Sequence, residues 1–114
     1  MADKPLRWMG SVLRDLRAFP AAVRRQAGYQ LRRVQAGLMP DDWKPMRSVG
    51  EGVYEIRLHT DLEHRVLYIA KFEEAVYVLH AFEKRTRRTS VADIALARQM
   101  LAELRQLRTR LRKP

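Results

Sequence analysis

The sequence predicts an α+β fold: a short N-terminal strand, two helices, an antiparallel β-meander and a C-terminal helix. Two changes of period carry this reading. Between residues 53 and 82 apolar side chains alternate as a pleated strand requires, with two breaks at the turn-forming stretches TDLE and KFEE. On either side of that stretch they recur every three or four residues, the spacing of one face of a helix. At 114 residues the chain has the length of one domain, residues 1–114, with residues 105–114 a basic tail that extends the last helix or frays.

In chain order, LRWM is short and apolar and reads as a brief edge strand, after which Ser11 is placed to cap a helix. Val12, Leu13, Leu16 and Phe19 share one face of that helix, and Pro20 marks a break and a restart. Val23, Ala27, Leu31, Val34 and Leu38 then form the apolar line of a second helix that Gly37 stops, with Arg24, Arg25, Arg32 and Arg33 off the line. Residues 38–52 hold two prolines and two glycines and read as a loop held down by Trp43 and Met46. Tyr54, Ile56 and Leu58 alternate with Glu55, Arg57 and His59 in the first strand of the meander. The next two, from His64 and from Val76, are apolar on both faces, as central strands covered on each side are. Ser90 and Asp93 have the spacing of a capping box, and Ile94, Ala97, Leu101, Leu104 and Leu111 give the last helix its buried stripe. The resulting picture puts the helices on one face of the sheet.

Composition narrows the function. Hydrophobic residues make up 46% and charged residues 32%, a globular balance, and no apolar run approaches the roughly 20 residues of a membrane span. The N-terminal MADKPLRW lacks the apolar centre of a signal peptide, so the expected compartment is the cytoplasm. Absence of cysteine excludes disulfides and thiolate metal sites. Against 13 acidic residues stand 23 Lys and Arg, for a net charge of +10, mostly from arginine. Guanidinium groups match phosphate oxygens in pairs, so a polyanion is the expected ligand. Phosphate-loop, dinucleotide-binding, serine-hydrolase and zinc-protease motifs are absent, and His59, His64 and His80 lack metal-site spacing, so neither metal nor cofactor is expected.

What remains is a set of basic residues on strands. If Tyr54, Ile56 and Leu58 face the helices, Arg57 faces the other way, and Arg65 can stand beside it across an antiparallel pair. His80 and Lys84 come from the third strand and its exit, followed by Arg85, Arg87 and Arg88. Such groups suit metal-free RNA cleavage: a base takes the ribose 2′-hydroxyl proton, cations stabilise the phosphate in transition, and an acid protonates the leaving oxygen. Each also has an ordinary structural reading. Arg57 can pair with Glu55 or Glu51 at the surface, His80 can be a satisfied, partly buried side chain, and the basic run after Phe82 can be a solvated turn.

The ordered set WKPM, GVYEIRL, RVLYIAKF, VYVLHAFEKRTRRTS and DIALAR resembles the phage-derived, HigB-like branch of the RelE/ParE toxin superfamily over nearly the whole chain. Arg85, Arg87 and Arg88 stand where that family often has lysine or glutamine. The resemblance implies the toxin of a type II toxin–antitoxin pair, neutralised in a hetero-oligomer by a helix-turn-helix antitoxin. It further implies an endoribonuclease, an mRNA interferase that cuts mRNA on the ribosome without metal. Carried over by position, Arg57, Arg65, Lys84 and Arg85 become the phosphate-binding or catalytic groups, with His80 as acid or base and Arg87 and Arg88 as RNA contacts. Relatives of the same fold that poison DNA gyrase keep a second target open, and a nucleic-acid-binding protein without catalysis is the other alternative.

Overall fold

Strand pairing sets the frame of the molecule. The computed structural model describes residues 3–112. In order, its elements are β1 (Leu6–Trp8), α1 (Val12–Arg17), α2 (Ala21–Gln35), β2 (Trp43–Pro45), β3 (Val53–His59), β4 (Glu63–Ile69), β5 (Val76–Glu83) and α3 (Val91–Arg112). They build one sheet in the order β1-β5-β4-β3-β2. β3, β4 and β5 form the antiparallel meander, β2 pairs antiparallel with β3, and β1 joins the far edge parallel to β5, so the sheet is mixed.

The stretch expected to be a loop thus holds a strand, β2. Proline is tolerated there because β2 is an edge strand, with one side free of any ladder. Trp43 of β2 also packs on Tyr54 of β3, ring centroids 5.1 Å apart.

The helices cover both faces of the sheet, not one. On one side Val12 and Leu16 of α1 and Val23, Ala27, Leu31 and Val34 of α2 bury against Ile56, Leu58, Val66, Tyr68, Val76 and Val78. On the other, Ala97, Leu101 and Leu104 of α3 bury against Val53, Leu67, Ile69, Tyr77 and Leu79. Both sets of residues on β4 and β5 therefore have a partner, which is why those strands read as apolar on both faces. Leu38 falls past the end of α2 and is exposed, and Leu111 is 72% exposed because α3 outruns the sheet. The basic tail continues α3 as far as Arg112, and residues 113–114 lie outside the described part.

Helix ends follow from local chemistry. At the C-terminus of α2, Gly37 adopts a positive φ of 86°, and the Leu38 and Gly37 amides donate to the carbonyls of Arg33 and Val34. This pairing closes the helix and favours glycine at that position. Ahead of α3 the Asp93 amide donates to Ser90 Oγ, 3.1 Å, while Ser90 Oγ donates to Asp93 Oδ2, 2.6 Å. Such a cap contributes about 1 kcal/mol. Ser11 does not cap α1: its hydroxyl donates instead to the Asp15 carboxylate, 2.9 Å.

One irregularity decides which face His80 occupies. Leu67 pairs with His80 but Tyr68 pairs with Val78, so Leu79 is an extra residue in β5, a β-bulge. Val78 lies in the core under α1 and α2, and Leu79 in the core under α3. Strict alternation would return His80 to the side of α1 and α2. The bulge instead keeps it on the side of α3, and Ala81 resumes the other face.

Candidate functional site

Cross-strand register gathers the basic residues. Arg57 on β3 stands opposite Arg65 on β4, which stands opposite Phe82 on β5; one row further along, Lys44, Glu55, Leu67 and His80 follow in turn. Residues two apart on a strand share a face, so Glu55, Arg57, Arg65, His80, Phe82 and Lys44 belong to the same side of the sheet. Lys84 leaves β5 at the same end, its amide donating to the Glu63 carbonyl, 2.7 Å. This is the side that α3 covers, beyond the apolar contacts of that helix.

At the centre sits a buried ion pair. Glu55 is fully buried and neither of its oxygens is hydrogen-bonded; Arg65 Nε lies 3.4 Å from Oε1 and Lys44 Nζ 3.9 Å from it. Arg65 is itself only 2% exposed, donating to the His64 carbonyl and to Glu63 Oε1, both at 3.0 Å. A charge removed from water needs such partners. Arg65 is therefore a positive charge held beneath the surface of the cluster by the protein's own carboxylates and a backbone carbonyl.

Three cations around this pair reach solvent. Arg57 is partly exposed and pairs with Asp42, not Glu55 or Glu51, at 3.8 Å, while Lys44 is less than half exposed. Lys84 is half-buried, and burial pushes its ammonium below the usual lysine range. The charges of Arg65, Lys44 and Arg57 push the same way, with Glu55 opposing. A lysine so placed gives up its proton more readily than one in water and gains from an incoming anion.

His80 borders the cluster. Its Nε2 lies 2.7 Å from Asp93 Oδ1 on α3, and its ring stacks on Phe82, centroids 5.1 Å apart and planes 22° apart. Arg85 points outward, exposed, and donates to Glu83 Oε2 at 3.1 Å. Arg87 and Arg88 lie exposed on the segment between β5 and α3, and neither forms an ion pair among the described residues. Of the expected residues, Arg57, Arg65, His80 and Lys84 are thus drawn to one side of the sheet, while Arg85, Arg87 and Arg88 form a separate basic fringe. No cluster of His, Asp and Glu able to hold a metal ion occurs among the described residues.

Sequence reading missed Lys44, Glu55 and Asp93. Lys44 lies in a stretch whose prolines and glycines predict a loop, and only as part of the strand WKP does it share the parity of Glu55. Glu55 shares its parity with Arg57, yet an acidic residue beside an arginine looks like an ordinary surface pair. Asp93 was accounted for by its cap.

A double-arginine mutant of E. coli toxin RelE in the free state superposes on the chain with a TM-score of 0.64 and 18% sequence identity. The match covers 91% of this chain and 99% of that one, and shows that the two share a fold. No curated protein sequence matches the chain. The family described as phage-derived Gp49-like proteins (DUF891) matches residues 14–102, a span holding β2 to β5, the whole cation cluster and the first half of α3; the chain belongs to that family.

Proposed function

We propose that this chain is the toxin of a type II toxin–antitoxin pair, of the HigB-like branch, acting as a single domain that cuts mRNA on the ribosome in the cytoplasm. One observation carries the reading: Lys44, Arg57 and Lys84 border a buried Arg65–Glu55 pair on a sheet side that also presents His80. Side chains alone supply what phosphodiester cleavage by a ribose 2′-hydroxyl needs. The 2′-oxygen gives its proton to His80 and bonds to phosphorus; the bond from phosphorus to the 5′ oxygen breaks, and that oxygen takes a proton from an ammonium such as Lys84. The products are a 2′,3′-cyclic phosphate and a 5′-hydroxyl. Lys44 and Arg57 hold the phosphate, and Arg85, Arg87 and Arg88 contact the flanking RNA backbone. A helix-turn-helix antitoxin is the expected neutralising partner.

The test is purified protein added to translating ribosomes, with mRNA ends mapped. New ends with cyclic phosphate are expected, and Arg57→Ala or Lys84→Met should lower their rate of appearance by about 100-fold or more. DNA damage on expression with mRNA intact would replace this reading with that of a gyrase poison.

A further inference from the structure

Asp93 holds a position that its cap does not explain. The capping exchange with Ser90 uses its amide and Oδ2, whereas Oδ1 lies 2.7 Å from His80 Nε2. Three constraints converge on that imidazole: the bulge at Leu79 turns it to the side of α3, Phe82 stacks along one ring face, and Asp93 holds one nitrogen. The other nitrogen, Nδ1, has no partner among the described residues. Alongside, Phe82, Lys84, Arg85, Ser90 and Asp93 line a cavity of about 180 Å³ between the exit of β5 and the start of α3.

We propose that Asp93 is a positioning residue that fixes the tautomer of His80. An ionised carboxylate only accepts hydrogen bonds, so the neutral imidazole facing it carries its proton on Nε2 and its lone pair on Nδ1. Nδ1 is then the atom that takes the 2′-hydroxyl proton, and once the ring is protonated the carboxylate stabilises the imidazolium. This rests on the nuclease reading above and adds to it which atom acts and which residue decides so. Because Asp93 is anchored at the first turn of α3, the same helix that covers the sheet also sets the ring.

Nitrogen-15 spectra of the histidines test the tautomer without any substrate. The wild-type protein should show His80 protonated on Nε2, and Asp93→Asn, whose amide can donate to Nε2, should move the proton to Nδ1. On RNA, Asp93→Asn should lower kcat by about 10²- to 10⁴-fold with KM unchanged. In a His80→Ala background the same substitution should cost no further rate, since Asp93 acts through His80. A wild-type ring protonated on Nδ1, or a loss from Asp93→Asn that persists without His80, overturns the proposal. Should the wild-type protein cut no RNA, the nuclease reading falls, and the spectra still decide whether Asp93 sets the ring.

Discussion

Glu55 shows how one carboxylate can hold a site together without reaching solvent. It lies within 4 Å of both Arg65 and Lys44, and its burial makes each loss unequal to the gain of the pair. Glu55→Leu alone leaves the Arg65 charge buried and short of a partner, and should lower the unfolding free energy by about 3–5 kcal/mol. Replacing both, as Glu55→Leu with Arg65→Met, should recover most of that loss, because the desolvated charges disappear together. Urea unfolding of the two single variants and the double variant checks this; costs that simply add would show that the pair is not coupled. His59 is the opposite case, an exposed side chain between Asp42 at 2.5 Å and Glu63 at 2.8 Å. Hydrogen bonds to Asp42 and then Glu63 raise its pKa above the ordinary 6.5. A raised folded-state value stabilises the protein fully below 6.5 and ceases to do so as pH climbs through the folded value. His59→Gln should therefore lower the melting temperature slightly in mildly acidic buffer and not at all in alkaline buffer, the effect being small because the groups are solvated.

At the scale of elements, α3 is held at two places of different chemistry. Its first turn carries Asp93, and further along Arg108 donates to Glu74 in the turn between β4 and β5, at 2.7 and 3.2 Å, while lying over the Phe72 ring at 3.7 Å. Hydrogen bonds from Arg108, then Tyr77, bring the Glu74 carboxyl down from 4.5 to about 2. A depressed carboxylate stabilises above its unfolded value, so this latch should release as pH falls from 4.5 through about 2. Protection factors for the amides of residues 105–112, which remove the intrinsic pH dependence of exchange, should fall over that interval in the wild type and should be low throughout in Arg108→Ala. None of this was legible in the sequence, since the partners are 34 positions apart. The bulge was equally hidden. VYVLHAF is apolar on both faces, so nothing in its pattern marks where alternation slips. By contrast the hairpins, the helix stripes and the cap at Ser90 rest on neighbours a few residues apart, and local spacing sufficed to place them. Periodicity tells which residues of α3 are buried but not beneath which side of the sheet, so the two-sided covering is not legible in it.

For the molecule as a whole, a net charge of +10 does not by itself say which side would meet the RNA of the proposed function. Arginines cover the outside of α1 and α2, where Arg14 is 82% and Arg32 70% exposed, as well as the side that carries Lys44, Arg57 and Lys84. Composition therefore gives only an overall basic surface, and it is the register of β3, β4 and β5 that singles out one cluster of cations on it. Salt dependence separates the two. Each phosphate contact releases counterions, so removing one should reduce the slope of log affinity against log salt by about one. For single-stranded RNA, with cleavage blocked by a 2′-deoxy substitution at the cut, Lys44→Ala and Arg57→Ala should each lower the slope by roughly 0.7 to 1. Arg14→Ala and Arg24→Ala, on the opposite side of the sheet, should leave the slope nearly unchanged. The reverse ordering would move the RNA to the outer face of α1 and α2, and would leave the Lys44, Arg57 and Lys84 cluster as an internal charge network with no ligand.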